Sequence, residues 1–193
     1  MNISFPEWDT TLFYFLNGLH VSWLDSFMVL VSSVPVWIPL YLAVIFFLIK
    51  KYKWQGVFFL FCIVLCITVA DQFSTVIKYA VQRPRPCQVL ADVHLLENCG
   101  SGYGFVSNHS ANVFGFALIT SLLFRLKWYT IGIFFWALLV AYSRIYLGKH
   151  YPLDILGGAA FGMSVAFLCY LLTKVYTPLV EKIRVAGNRG QNG

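Results

Sequence analysis

Charge is what this chain has least of. Only 11% of its 193 residues are Asp, Glu, Lys or Arg, against about 25% in soluble globular proteins. One soluble core of this length could not hide the 59% of residues that are hydrophobic. A water-soluble domain is therefore excluded in favour of an integral membrane protein. Other features are missing too. The N-terminus "MNISFPEWDT" lacks the basic n-region of a cleavable signal peptide. There is no internal repeat, and no RNA- or DNA-binding motif accompanies the net charge of +6. Basic residues flanking apolar runs are topology signals, so no nucleic-acid partner is expected.

What remains is long apolar runs. Five reach or approach the roughly 20 residues that cross a bilayer: 34–49, 54–77, 109–124, 128–146 and 152–174. The first has Pro35 and Pro39 at its start, and Ser26–Ser33 can extend it. Before it, "FPEWDTTLFYFLNGLH" mixes aromatics with Glu7 and Asp9, which suits helices lying in the interface. The expected fold is all-α: a polytopic bundle of about five transmembrane helices plus N-terminal interfacial helices. It divides into an interfacial segment (1–33), a transmembrane domain (34–176) and a cytoplasmic tail (177–193), whose end, "VAGNRGQNG", reads as disordered.

Lys50, Lys51, Lys53, Arg125, Lys127, Lys174, Lys182 and Arg184 fall on one side of a five-span topology, which the positive-inside rule makes cytoplasmic. Lys78, Arg83, Arg85, Arg144 and Lys149 then lie on the outer side, against that rule. An anionic ligand is a local reason for them. Cys62, Cys66 and Cys169 lie inside spans as small hydrophobes. Cys87 and Cys99 bracket the outer loop and can pair on an oxidising face. That loop arranges too few ligands at metal spacing for zinc.

The ionisable groups form three clusters, each at the outer end of a span: "KYAVQRPRP" (Lys78–Pro86), "SNHS" (Ser107–Ser110) and "SRIYLGKHYPLD" (Ser143–Asp154). Taken singly, each has a plain structural use: a snorkelling Lys78, a helix-capping Ser107, a solvated His150. Three on one membrane face point instead to a shared site. The span beginning beside Ser107, Asn108 and His109 offers free backbone N–H groups to an anion. Lys78, Arg85 and Arg144 add positive charge, and arginine clasps phosphate oxygens bidentately. Asp154, four residues after His150 and just past Pro152, can reach its ring and hold one tautomer. With His109 as the second histidine, one imidazole can attack phosphorus while the other protonates the departing oxygen.

These clusters resemble the tripartite signature of the type 2 phosphatidic acid phosphatase (PAP2) superfamily. Lys-x6-Arg-Pro matches Lys78 through Arg85-Pro86, leaving Arg83 as a loop charge. Pro-Ser-Gly-His stands here as Val106-Ser107-Asn108-His109, and Ser-Arg-x5-His-x3-Asp matches Ser143, Arg144, His150 and Asp154. The resemblance implies a PAP2-like fold with His150 as nucleophile, Asp154 orienting it and His109 as the acid. Lys78, Arg85, Ser107, Asn108 and Arg144 would hold the phosphate. It implies no metal or cofactor. Asn108 in place of glycine adds a Cβ where backbone approaches phosphate, and Val106 in place of proline loosens the start of the helix.

The resemblance further implies a lipid phosphate or diphosphate as substrate, within a bacterial inner membrane and with the site facing the periplasm or exterior. Undecaprenyl pyrophosphate is the first expectation. Phosphatidylglycerophosphate and the 1-phosphate of lipid A are the alternatives. A vanadate haloperoxidase fits poorly, because those relatives are soluble and larger. A catalytically dead lipid transporter would have no use for the His150–Asp154 pair. Gly158-xxx-Gly162 reads as a helix-packing motif. Tyr103 and Phe105 can either shape the loop over the site or anchor it in the interface.

Overall fold

A computed structural model describes residues 4–189, with side chains through Tyr176. The helices are α1 (Glu7–Asn17), α2 (Ser22–Ser32), α3 (Ile38–Tyr52), α4 (Trp54–Val81), α5 (Pro86–Val89), α6 (Asn108–Phe124), α7 (Lys127–Tyr146) and α8 (Pro152–Arg189). A 3₁₀ turn, Val34–Trp37, leads into α3, and no strand occurs among the described residues. The five sequence-predicted spans correspond to α3, α4, α6, α7 and α8. The tail expected to be disordered continues α8 as far as Arg189, and its last four residues lie outside the described ones.

Local chemistry sets the ends that matter. α4 stops where Gln82 turns left-handed (φ 55°) ahead of Pro84, because proline disfavours helix in the residue before it. Ser107 caps α6, its hydroxyl accepting from Ser110 N at 3.4 Å. α8 begins on Pro152, whose missing N–H costs nothing in the first turn. These three boundaries lie at one end of the bundle and carry the three clusters.

Four stretches are long and apolar enough to cross a membrane, built on α3, α4, α7 and α8. The fifth expected span, α6, has 17 residues, about 25 Å of helix. Twelve of them are buried, so α6 is the axis of the bundle, with α4, α7 and α8 packed around it. Phe61, Phe73, Phe135, Phe167 and Leu168 on those surrounding helices face outward, as lipid contact requires.

The α6–α8 contact depends on absent side chains. A Cβ on Gly158 would lie 2.5 Å from the Ser107 carbonyl, and one on Gly162 would overlap the Ala111 carbonyl. This is the predicted small-xxx-small packing, and it holds the second and third clusters together. At the opposite end Lys51 donates to Phe124 O (2.6 Å) and Arg125 to Tyr170 Oη (3.1 Å), binding α3, α6 and α8 where the other cations lie.

Gly162→Ala should therefore lower the midpoint of thermal unfolding in detergent, since overpacking costs about 1–3 kcal/mol. Gly132→Ala in α7, whose Cβ would meet nothing, should not. Circular-dichroism melts of the two variants check the contrast.

Candidate active site

A cavity of about 710 Å³ lies between α3, α4, α6 and α7. One end is walled by Lys78, Arg85, Asn108, His109, Arg144 and His150; the rest is mainly apolar, reaching Leu48 and Leu60 near the opposite end of the bundle. Both imidazoles thus border one space. It joins a cationic pocket to a greasy slot.

His150 sits in the tight loop between α7 and α8, where Gly148 takes φ 71°. Its Nδ1 meets Asp154 Oδ2 at 3.3 Å, and the Tyr151 N–H donates to that same oxygen at 3.0 Å. Asp154 is fully buried, and its other oxygen, Oδ1, accepts from Arg83 at 2.8 Å. Arg83 reaches on to Asp9 Oδ2 at 2.5 Å, and Asp9 Oδ1 accepts from Leu153 N at 2.9 Å. The Arg83 guanidinium lies between the rings of Phe5 (3.8 Å) and Tyr151 (3.9 Å). Arg83 is therefore no loop charge, as the motif register had implied, but the buried link between two carboxylates. Sequence reasoning also missed Asp9. The signals were an acid in the first turn of an aromatic-rich helix and a second arginine inside "RPRP".

Lys78, Arg85 and Arg144 make no ion pair among the described residues. Lys78 Nζ donates to the carbonyls of Tyr103 (3.0 Å) and Gly104 (3.1 Å), which fixes the ammonium at the mouth. Arg144 donates to Ser32 Oγ at the end of α2. The Nε atoms of Arg85 and Arg144 are buried without a partner among the described residues, so both guanidiniums retain donors for an anion. At the start of α6, Ser110 N bonds the Ser107 hydroxyl and Ala111 N bonds the Ser107 carbonyl. The amides of Asn108 and His109 form no such bond among the described residues.

Three motif residues stand apart from the cavity wall. Asp154 lies behind His150, where an orienting carboxylate belongs. Ser107 is buried, its hydroxyl committed to the cap and its N–H to the Asp154 carbonyl (3.0 Å). The Ser143 hydroxyl donates back to Val140 O (2.7 Å) within α7. The Asn108 side chain turns toward α4, where its amide donates to Asp71 Oδ1 (3.0 Å) and Thr75 Oγ1 (3.3 Å).

The loop between α5 and α6 is held over the pocket. Cys87 and Cys99 form a disulfide with Cα atoms 5.8 Å apart, and Lys149 pairs with Glu97 at 2.6 Å. Phe105 packs on Gly157 and against Phe5, while Tyr103 meets Tyr79 edge-on. Burial holds the His150 imidazole well below the usual histidine range; Lys78, Arg144 and Arg85 push the same way, and the Gly104 carbonyl opposes them. That shift favours the neutral ring, in which Nε2 is the electron-pair donor when Nδ1–H faces Asp154.

Arg83→Met would leave two buried carboxylates without their shared cation. Breaking a buried pair this way costs about 3–5 kcal/mol, so the variant should melt well below wild type, with Arg83→Lys in between. Thermal unfolding of the three proteins in one detergent checks this.

Comparison with known proteins converges on the same chemistry. The family described as "PAP2 superfamily" matches residues 59–177. The chain is 36% identical over 180 residues to a protein of Bacteroides thetaiotaomicron named lipid A 4'-phosphatase, covering 90% of this chain and 80% of that one. It is 31% identical over 170 residues to an undecaprenyl-diphosphatase of Sulfolobus acidocaldarius, covering 86% and 78%. Its fold matches the crystal structure of Aquifex aeolicus LpxE with a TM-score of 0.68 and 27% identity, across 91% of this chain and 100% of that chain. Spans, motifs and relatives agree: the chain belongs to the PAP2 superfamily and is a membrane lipid phosphatase of that family.

Proposed function

We propose that this phosphatase hydrolyses a phosphorylated lipid of the outer membrane–water boundary of a bacterial inner membrane, through a phosphohistidine on His150. The observation that carries this reading is the convergence of a neutral, carboxylate-backed imidazole, a second imidazole and three unpaired cations on one cavity with an apolar inner wall.

In the first step the Nε2 lone pair of His150 forms a bond to phosphorus. The bond from phosphorus to the lipid oxygen breaks, and that oxygen takes a proton from His109. Asp154, held by Arg83, accepts the Nδ1–H bond and stabilises the positive ring as it forms. In the second step His109 removes a proton from water, the hydroxide oxygen bonds to phosphorus, and the N–P bond breaks to release phosphate and restore His150. Lys78, Arg85, Arg144 and the two free amides of α6 neutralise charge on the phosphoryl oxygens in both steps. Ser107 contributes by capping the helix that presents those amides.

A saccharolipid phosphate of the lipid A class is the first reading, favoured by the relative at 36% identity. Undecaprenyl diphosphate, which the sequence alone put first, is the second, favoured by the relative at 31%. The same cationic pocket accepts a terminal phosphate from either. An outward-facing site is supported by the lysines and arginines at the far end of the bundle and by the Cys87–Cys99 disulfide, since such bonds persist in oxidising compartments.

His150→Ala should reduce phosphate release to background, and His109→Ala should slow it by about a hundredfold or more, the range for a lost general acid. A depressed imidazole loses its proton at lower pH, so the competent neutral form persists into acid. The acid limb of kcat/KM should therefore lie below the ordinary histidine value of about 6.5. An invariant rate in His150→Ala would overturn the mechanism. Orientation has its own test. Cys87→Ser frees Cys99, which a membrane-impermeant maleimide added outside spheroplasts should label. Labelling only after lysis would put the site on the cytoplasmic face.

A further inference from the structure

The cavity wall beneath the cationic pocket carries a carboxylate that the phosphoryl chemistry does not use. Asp71 stands on α4 two helical turns from Lys78, about 10 Å deeper in the bundle at 1.5 Å per residue. It borders the cavity. A charge at such depth in a span is costly, and it normally serves a pathway or ligand.

The hydrogen bonds around Asp71 are lopsided. Its Oδ1 accepts both the Asn108 amide (3.0 Å) and the Asn112 amide (3.3 Å), and Asn108 also donates to the Asp71 carbonyl (3.3 Å). Its Oδ2 accepts nothing among the described residues. Asn108 Oδ1 and Asn112 Oδ1 are buried and likewise without a donor. The network leaves three acceptor oxygens open against one spare donor, the second N–H of Asn112. A network that served only to pack α4 against α6 would balance donors with acceptors, because an unmet buried acceptor costs stability. The amide groups cannot turn over to correct the imbalance without setting an oxygen against the carboxylate.

We propose that Asp71, held by Asn108 and Asn112, is a specificity subsite. It takes a hydrogen-bond donor from the substrate, a hydroxyl or amide N–H carried within about 10 Å of the reacting phosphorus, as in a phosphorylated N-acyl sugar lipid. A lipid phosphate that is bare hydrocarbon or ester beyond its phosphate has no such donor and leaves the carboxylate desolvated without a partner. The inference rests on the lipid phosphatase reading above and narrows its substrate class. It also gives Asn108, where the motif has glycine, a use: the amide reaches away from phosphate to fix the carboxylate.

The test measures kcat/KM in mixed micelles for two monoesters: a saccharolipid phosphate with free hydroxyl and amide N–H groups, and phosphatidic acid, which has neither beyond its phosphate. Asp71→Leu should shift the ratio of the two at least about tenfold against the saccharolipid, the loss expected for one hydrogen bond to a charged group, with the change in KM. Asp71→Asn, which preserves size and keeps the test alive if the leucine variant does not fold, should shift it the same way by less. A ratio within twofold of wild type in both variants would overturn the subsite, whether their rates hold or fall in parallel. So would a wild type that prefers phosphatidic acid. A wild type that releases phosphate from neither lipid would instead overturn the saccharolipid phosphate reading, and the subsite with it.

Discussion

One buried arginine fixes the geometry on which the rest depends. Arg83 pairs with Asp154 and Asp9 at once, and aromatic rings cover both faces of its guanidinium. Without that cation, a carboxylate with no solvent exposure would lose much of its reason to stay ionised. With it, one oxygen of Asp154 is occupied and the other is left for the His150 ring and the Tyr151 amide. The direction of the imidazole follows from that division. Because Arg83 spends its charge on these two acids, Lys78, Arg85 and Arg144 remain unpaired, and the pocket keeps the positive charge a phosphate needs.

The bundle places this unit by geometry that suits a bilayer. α6 is ringed by longer helices that meet the lipid, so its backbone and its capped start stay within protein. Gly158 and Gly162 let α8 approach until the Ser107 amide bonds the Asp154 carbonyl. The start of α6, capped by Ser107, and the start of α8, which carries Asp154, are thus locked to each other. The clusters are distant in sequence, yet relative motion between them would strain a backbone contact.

Much of this was legible in the sequence. The apolar runs gave the helices to within a few residues because hydrophobic length is what a membrane selects. The motif spacings named His150, Asp154, His109 and three cations, and the fold gathers those side chains at one end of the bundle. Cys87 and Cys99 were read from position alone. Arg83, Asp9 and Asp71 were not legible as site residues, and for one physical reason: each acts through a partner more than thirty residues away. A lone acid or base in one dimension carries no sign of the charge that will face it. The roles of Ser107 and Ser143 were blurred for the opposite reason. A motif marks where a residue recurs, not whether its hydroxyl faces the ligand or its own helix.

The position of Asp9 alters how the first turns of the chain should be regarded. Residues ahead of the first span look like a peripheral anchor, the natural place to trim or to fuse a tag. Here that segment delivers a counter-charge to the buried core of the enzyme. Shortening it would strip one of two acids from Arg83 and let the guanidinium lean wholly on Asp154. Engineering of this segment is engineering of the surroundings of His150.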